Sequence, residues 1–66
     1  MLVSIVIPCY NSEHTIGEVV ELAIQEFDKL DGYECEFVLV NDYSRDGTWN
    51  SICCLADRYP NVKGIN

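Results

Sequence analysis

Residues 2–11, Leu2-Val3-Ser4-Ile5-Val6-Ile7-Pro8-Cys9-Tyr10-Asn11, read as a strand followed by the loop that leaves it. Leu2 to Ile7 is an almost unbroken β-branched apolar run with Ser4 as its only polar interruption. Such a run is expected of a strand buried on both faces, as in parallel sheets covered by helices. Pro8 biases Ile7 toward extended backbone and removes a ladder donor, so the strand is expected to stop there.

Outward from that strand the period changes. From Thr15 to Leu30 the apolar residues Ile16, Val19, Val20, Ala23, Ile24, Phe27 and Leu30 form one helical stripe. Thr15 and Glu18 have capping-box spacing, and Asp31-Gly32 supplies a stop. Phe37 to Val40 is a second apolar strand, ending at Asn41-Asp42. A polar turn to Gly47 follows, then a second helix on which Trp49, Ile52, Cys53, Ala56 and Tyr59 share a face. Pro60-Asn61 closes that helix, and Val62 to Ile65 begins a third strand. The pattern is β-α-β-α-β, with helices long enough to cross between parallel strands. Parallel strands need neighbours and covered faces, so the chain is expected to be the opening half of a larger α/β nucleotide-binding domain. Alone, it is expected to be weakly stable or to self-associate through an open sheet edge.

Composition narrows the function. A chain of 66 residues is enough for one small domain and not for two, and at this length only about 60% of the surface the unfolded form exposes is buried. Eleven acidic side chains against four basic ones give a net charge of −7. With only Lys29, Arg45, Arg58 and Lys63 spread along the chain, there is no basic footprint for nucleic acid and no polybasic membrane anchor. Cys9, Cys35, Cys53 and Cys54 lie in or beside apolar patterns without Cys-x-x-Cys spacing, and are expected to be reduced and mostly buried. No run reaches the roughly 20 apolar residues of a membrane span.

In a parallel sheet the C-terminal strand ends share one side, where ligands bind. The loops Pro8-Cys9-Tyr10-Asn11 and Asn41 to Thr48 are therefore expected at one crevice. Neither Gly-x-Gly-x-x-Gly nor Gly-x-x-x-x-Gly-Lys-Ser/Thr is present, which argues against the ordinary dinucleotide and ATPase loops. His14 has no companion ligands and is expected to be exposed. Arg45 is expected to pair with Asp42 or Asp46, and Asp46 or Ser44 to cap the second helix.

Val3 to Glu13, the Thr15-Ile16 helix start and Val38 to Thr48 together resemble the opening of a family 2 glycosyltransferase, across essentially the whole chain. The wording is most similar to members that transfer sugars onto polyprenyl phosphates, the dolichol-phosphate mannosyltransferase-like group. The resemblance implies a partial Rossmann-like, glycosyltransferase A-type α/β fold: a parallel β-α-β-α-β fragment of a three-layer sandwich. It also implies a nucleotide-diphosphate sugar as donor, of UDP or GDP type, a sugar or polyprenyl-phosphate acceptor, and Mg²⁺ or Mn²⁺ in the complete enzyme. By the same resemblance Pro8 and Tyr10 shape the base and ribose pocket, and Asp42 accepts a hydrogen bond from the base. Asn11, Glu13 and Ser44 are further nucleotide-binding positions. Asn41 and Tyr43 depart from the family's paired acids and small turn residue, and Tyr43 is expected to set a ring over the crevice mouth. The metal motif and catalytic base lie beyond residue 66 in complete members, so the segment alone is expected to be inactive. The complete enzyme is expected in the cytoplasm or at the cytoplasmic membrane face. The competing reading is a noncatalytic nucleotide-binding or self-associating α/β module.

Overall fold

The structure, a computed structural model, describes residues 1–66. The elements run β1 (Leu2–Cys9), α1 (Ile16–Asp28), β2 (Glu34–Asn41), α2 (Thr48–Arg58) and β3 (Val62–Ile65). The three strands form one parallel sheet in the order β1-β2-β3. Crossovers of one hand, taken twice in the same direction, put both helices on the same face.

The expectation that β1 is buried on both faces does not hold for these 66 residues. Burial alternates along β1, with Leu2, Ser4 and Val6 exposed and Cys9 buried. The helices provide one outer layer, over Ile5, Ile7 and Cys9 of β1, Phe37 and Leu39 of β2 and Val62 of β3. Leu2, Val6, Val38, Val40 and Ile65 alternate with those residues and occupy the other face. The apolar run is therefore continuous in sequence without both of its faces being covered within this chain.

β1 also runs past Pro8, which pairs in register with Val40. The carbonyls of Met1 and Cys9 accept from Glu34 at the start of β2 and from Asp42 just past its end, so odd-numbered residues of β1 bond to β2. Pro8 thus turns its missing donor to the free edge, the location in a sheet that tolerates proline.

The core is built in rows. Ile5, Phe37 and Val62 lie side by side, as do Ile7, Leu39 and Gly64. Phe37, Leu39, Ile52 and Val20 are fully buried where the helices meet these rows. In α1, Ile16 and Val20 are buried, while Val19 and Leu30 of the expected stripe are about half exposed. In α2 the buried residues are Thr48, Ile52 and Leu55; Leu55 was not on the expected face. Trp49, Ala56 and Tyr59 pack against the core as expected. Arg58 and Tyr59 tie α2 to Glu21 of α1, at 3.3 and 3.4 Å.

The expected capping box is not formed. Thr15 has helical φ and ψ and makes no side-chain cap bond; its hydroxyl donates to the Ser12 carbonyl instead. The backbone N–H groups of Thr15 and Ile16 donate to the same carbonyl, so α1 starts from a turn at Ser12. The stop comes earlier than the expected Asp31-Gly32: α1 ends at Asp28 with Lys29 as its C-cap, and Gly32, at φ 81°, serves the turn into β2.

Candidate functional site

Both loops at the C-terminal strand ends are laced together, and the Cys9 carbonyl is the first knot. It accepts the Asp42 N–H at 2.9 Å and the Ser44 hydroxyl at 3.4 Å. The Ser44 oxygen accepts the Asn11 N–H at 3.0 Å, and the Asn11 side-chain oxygen accepts the Arg45 N–H at 3.0 Å. Asn11 sits at φ 47°, a conformation asparagine tolerates because its short amide bonds locally.

A second knot forms where α2 begins. Asp46 accepts the Thr48 N–H at 3.0 Å and also the Thr48 hydroxyl, and its other oxygen accepts the Glu13 N–H at 3.3 Å. Glu13 Oε1 accepts the Gly47 N–H at 2.7 Å, while the Glu13 carbonyl accepts the Ser51 hydroxyl at 3.2 Å. Thr48 is fully buried, and its oxygen accepts the Ser12 N–H at 2.7 Å. The N-cap of α2 is Gly47, which makes no side-chain cap bond; of the two expected candidates, Asp46 is the one that bonds the start of the helix, from one residue ahead of the cap.

The hydrogen bonds from Thr48, above all from its hydroxyl, hold the Asp46 carboxyl below the ordinary aspartate range. A folded-state value below the unfolded one stabilises the fold above the unfolded value, and that contribution disappears as pH falls through the lowered folded value. Urea midpoints measured from about pH 5 down to about pH 2 should accordingly fall less steeply in Asp46→Asn than in the parent. Equal slopes would remove Asp46 from the acid response.

The expected site residues divide by what they already bond. Asn11, Glu13 and Ser44 join the loops, so their first role is to hold the crevice in shape. Tyr10 is 62% exposed, and Pro8 is exposed at the end of β1. Asp42 is exposed, its backbone N–H is engaged, and its carboxylate has no hydrogen bond or ion pair within the fold. Arg45 pairs with neither Asp42 nor Asp46, against expectation; it is held by its backbone N–H, which donates to the Asn11 side chain. His14 is exposed, 3.8 Å from Glu13.

A crevice of ≈ 430 Å³ is lined by Asn41, Tyr43, Ser44 and Asn66, of which Asn41 and Tyr43 flank Asp42 in sequence while Asp42 itself is outside the lining. Asn41 donates to the Asn66 side-chain oxygen at 2.8 Å, and its own amide oxygen is buried without a partner. A second depression, lined by Glu13, Gly47, Ser51 and Cys54 among others, lies between the first turns of the helices. Its carboxylate is already bonded to Gly47, so the strand-end crevice, lined by Asn41, Tyr43, Ser44 and Asn66 and adjoined in sequence by the unpartnered Asp42, is the candidate site.

No group of three or more His, Cys, Asp or Glu side chains is placed to hold a metal ion. All four cysteines are free thiols, but only Cys9 is buried; Cys54 is exposed because it follows Cys53 onto the outer side of α2. Burial pushes the Cys9 thiol up, which keeps it protonated and unreactive.

The Glycosyl transferase family 2 model matches residues 4–66. The chain belongs to that family. Among the chain's relatives, a prophage bactoprenol glucosyl transferase homolog of Escherichia coli (strain K12) is 39% identical over 62 residues, covering 94% of this chain and 20% of its own length. A bactoprenol glucosyl transferase of Shigella phage SfV is 40% identical over the same span and coverage. A dolichyl-phosphate beta-glucosyltransferase of Trichomonas vaginalis is 32% identical over 68 residues, 97% of this chain and 21% of its own length. The chain thus spans about a fifth of the length of the curated relatives it matches. No solved structure matches it. The parallel α/β arrangement is that of a partial Rossmann-like, glycosyltransferase A-type fold.

Thr48 and Asn66 had been given no role from sequence. Asp46-Gly47-Thr48 offered a local signal for Thr48, since an aspartate two residues ahead of a hydroxyl and a helix N–H suits a cap. Asn66 had none, because its partner is 25 residues away.

Proposed function

We propose that these 66 residues are the nucleotide-recognising part of a glycosyltransferase that moves a sugar, glucose by analogy with the relatives' names, from a UDP- or GDP-type donor to a polyprenyl phosphate. The observation that carries the reading is the unpartnered Asp42 carboxylate beside a crevice at the C-terminal ends of parallel strands. A carboxylate there accepts N–H groups of a nucleobase, and Tyr10 offers a ring beside it. In the transfer, an acceptor phosphate oxygen forms the bond to the anomeric carbon while the bond to the nucleoside diphosphate breaks. This segment's part is to hold the nucleoside half of the donor. Mg²⁺ or Mn²⁺ and the catalytic base belong, in this proposal, to residues other than these 66. A lipid-linked acceptor would place the complete enzyme at a membrane surface; in the segment itself no helix is long and apolar enough to cross a membrane.

The full-length protein is expected to transfer glucose from a nucleotide donor to polyprenyl phosphate, and the isolated segment to transfer none even with Mg²⁺ or Mn²⁺. Circular dichroism on the same sample establishes that the segment is folded. Turnover by the folded segment would place a base and a metal site within these residues and refute the division proposed. The competing use is self-association through the free edge of β1, where the unpaired groups of Leu2, Ser4 and Val6 can template another strand. Sedimentation of the segment with and without UDP or GDP separates the two readings.

A further inference from the structure

Tyr43 is in an uncomfortable place for a tyrosine. Its φ of 52° lies in the left-handed region, where a Cβ crowds the following carbonyl and bulky side chains are outliers. Its side chain gains little in return from the fold, because the residue is 90% exposed. The turn itself is held from both sides, by the Asp42 N–H on the Cys9 carbonyl and by Ser44 on the same oxygen. Glycine would meet those backbone demands without the steric conflict. An exposed aromatic ring kept where glycine suits the backbone calls for a use outside the fold.

The surroundings indicate which. Tyr43 directly follows Asp42, whose carboxylate has no partner, and it lines the ≈ 430 Å³ crevice with Asn41, Ser44 and Asn66. Tyr10, 62% exposed, leaves the neighbouring strand at the same sheet edge. We propose that the Tyr43 ring stacks on the nucleobase held by Asp42, making Tyr43 a specificity-determining residue whose strained backbone is kept for ligand contact. This rests on the nucleotide reading above. Stacking uses the ring face, so the hydroxyl is dispensable and the preference is for a planar base over an acyclic phosphate ligand.

The test is calorimetric titration of the full-length protein with UDP and with GDP, alongside urea unfolding. Tyr43→Gly and Tyr43→Asn, both compatible with a left-handed backbone, should bind the preferred nucleotide about 5- to 30-fold more weakly. Their unfolding midpoints should be unchanged or higher, since relief of the conflict opposes the entropy added to the unfolded chain. Tyr43→Phe should bind like the parent, and inorganic diphosphate should not distinguish any of the variants. If Tyr43→Gly binds nucleotide like the parent while Asp42→Asn is weakened, the ring lies outside the site and only the present inference falls. If neither substitution matters, the crevice is not the nucleotide site and both readings fall together. A lower midpoint in Tyr43→Gly would show that the ring supports the fold, which also overturns the inference.

Discussion

Asp42→Asn in the full-length protein is expected to weaken nucleoside diphosphate binding roughly 10- to 150-fold, the loss of about 1.5 to 3 kcal/mol for a hydrogen bond to a charged group. The unfolding midpoint should hardly move. Asp42 contributes its backbone N–H to the fold, and the amide variant keeps that bond to the Cys9 carbonyl. Its carboxylate holds nothing else in place, whereas Asp46 receives Thr48 and the Glu13 N–H. Asp46→Asn should therefore show the converse pattern, with lower stability and nucleotide affinity affected only as far as the loop loosens. Calorimetric titration with UDP and GDP, and urea unfolding of both variants, read the two quantities separately. Parent-like binding by Asp42→Asn, with selective loss in a stable Asp46→Asn, would move the recognition carboxylate along the turn.

Gly64→Ala carries the second large expectation, this time for stability. A Cβ at residue 64 would stand 2.6 Å from Ile52 Cγ2 and 3.3 Å from the Trp49 ring. Ile52 is fully buried and cannot swing aside, so β3 or α2 must shift. Overpacking of this kind costs about 1 to 3 kcal/mol, partly offset by about 0.4 to 1 kcal/mol from the stiffer unfolded chain. For a domain this small that is a substantial part of its stability, on the order of 0.05 to 0.15 kcal/mol per residue. Gly17→Ala is the control: nothing lies within 4 Å of its added Cβ, and helix propensity should make it stabilising by about 0.5 to 1 kcal/mol. Urea unfolding of the two variants should move the midpoint in opposite directions. A Gly64→Ala protein as stable as the parent would mean that α2 is not seated on β3 as closely as described.

Gly64 also illustrates where sequence reading ends. Within the strand pattern it is one residue of Val62 to Ile65, and nothing local says that it lies beside Leu39 and beneath Ile52 and Trp49. The order of elements, by contrast, was legible along the chain, because apolar runs bounded by turn residues and stripes of helical period are local features that need no partner. The loops that would meet were legible as well, since parallel strands bring successive C-terminal ends to one edge. Asp42 was readable as a candidate site residue from that position and from the chain's resemblance to family 2. Its availability was not, because that depended on Thr48 and Glu13 satisfying Asp46 instead.

The 66 residues determine by themselves the alternation of strand and helix, the edge at which the two loops meet, and the family to which the chain belongs. These are set by local period, chain connectivity and residue identity. Only the tertiary structure decided which face of the sheet is covered, which acid bonds the start of α2 and which is left free, and that Tyr43 stands exposed in a left-handed turn. Each of those depends on groups brought together across the fold: Cys9 with Asp42, Glu13 with Gly47, and Ser12 with Thr48, the last pair 36 residues apart. Hydrogen-bond competition and close packing settle such choices in three dimensions, and no pattern along the chain encodes their outcome.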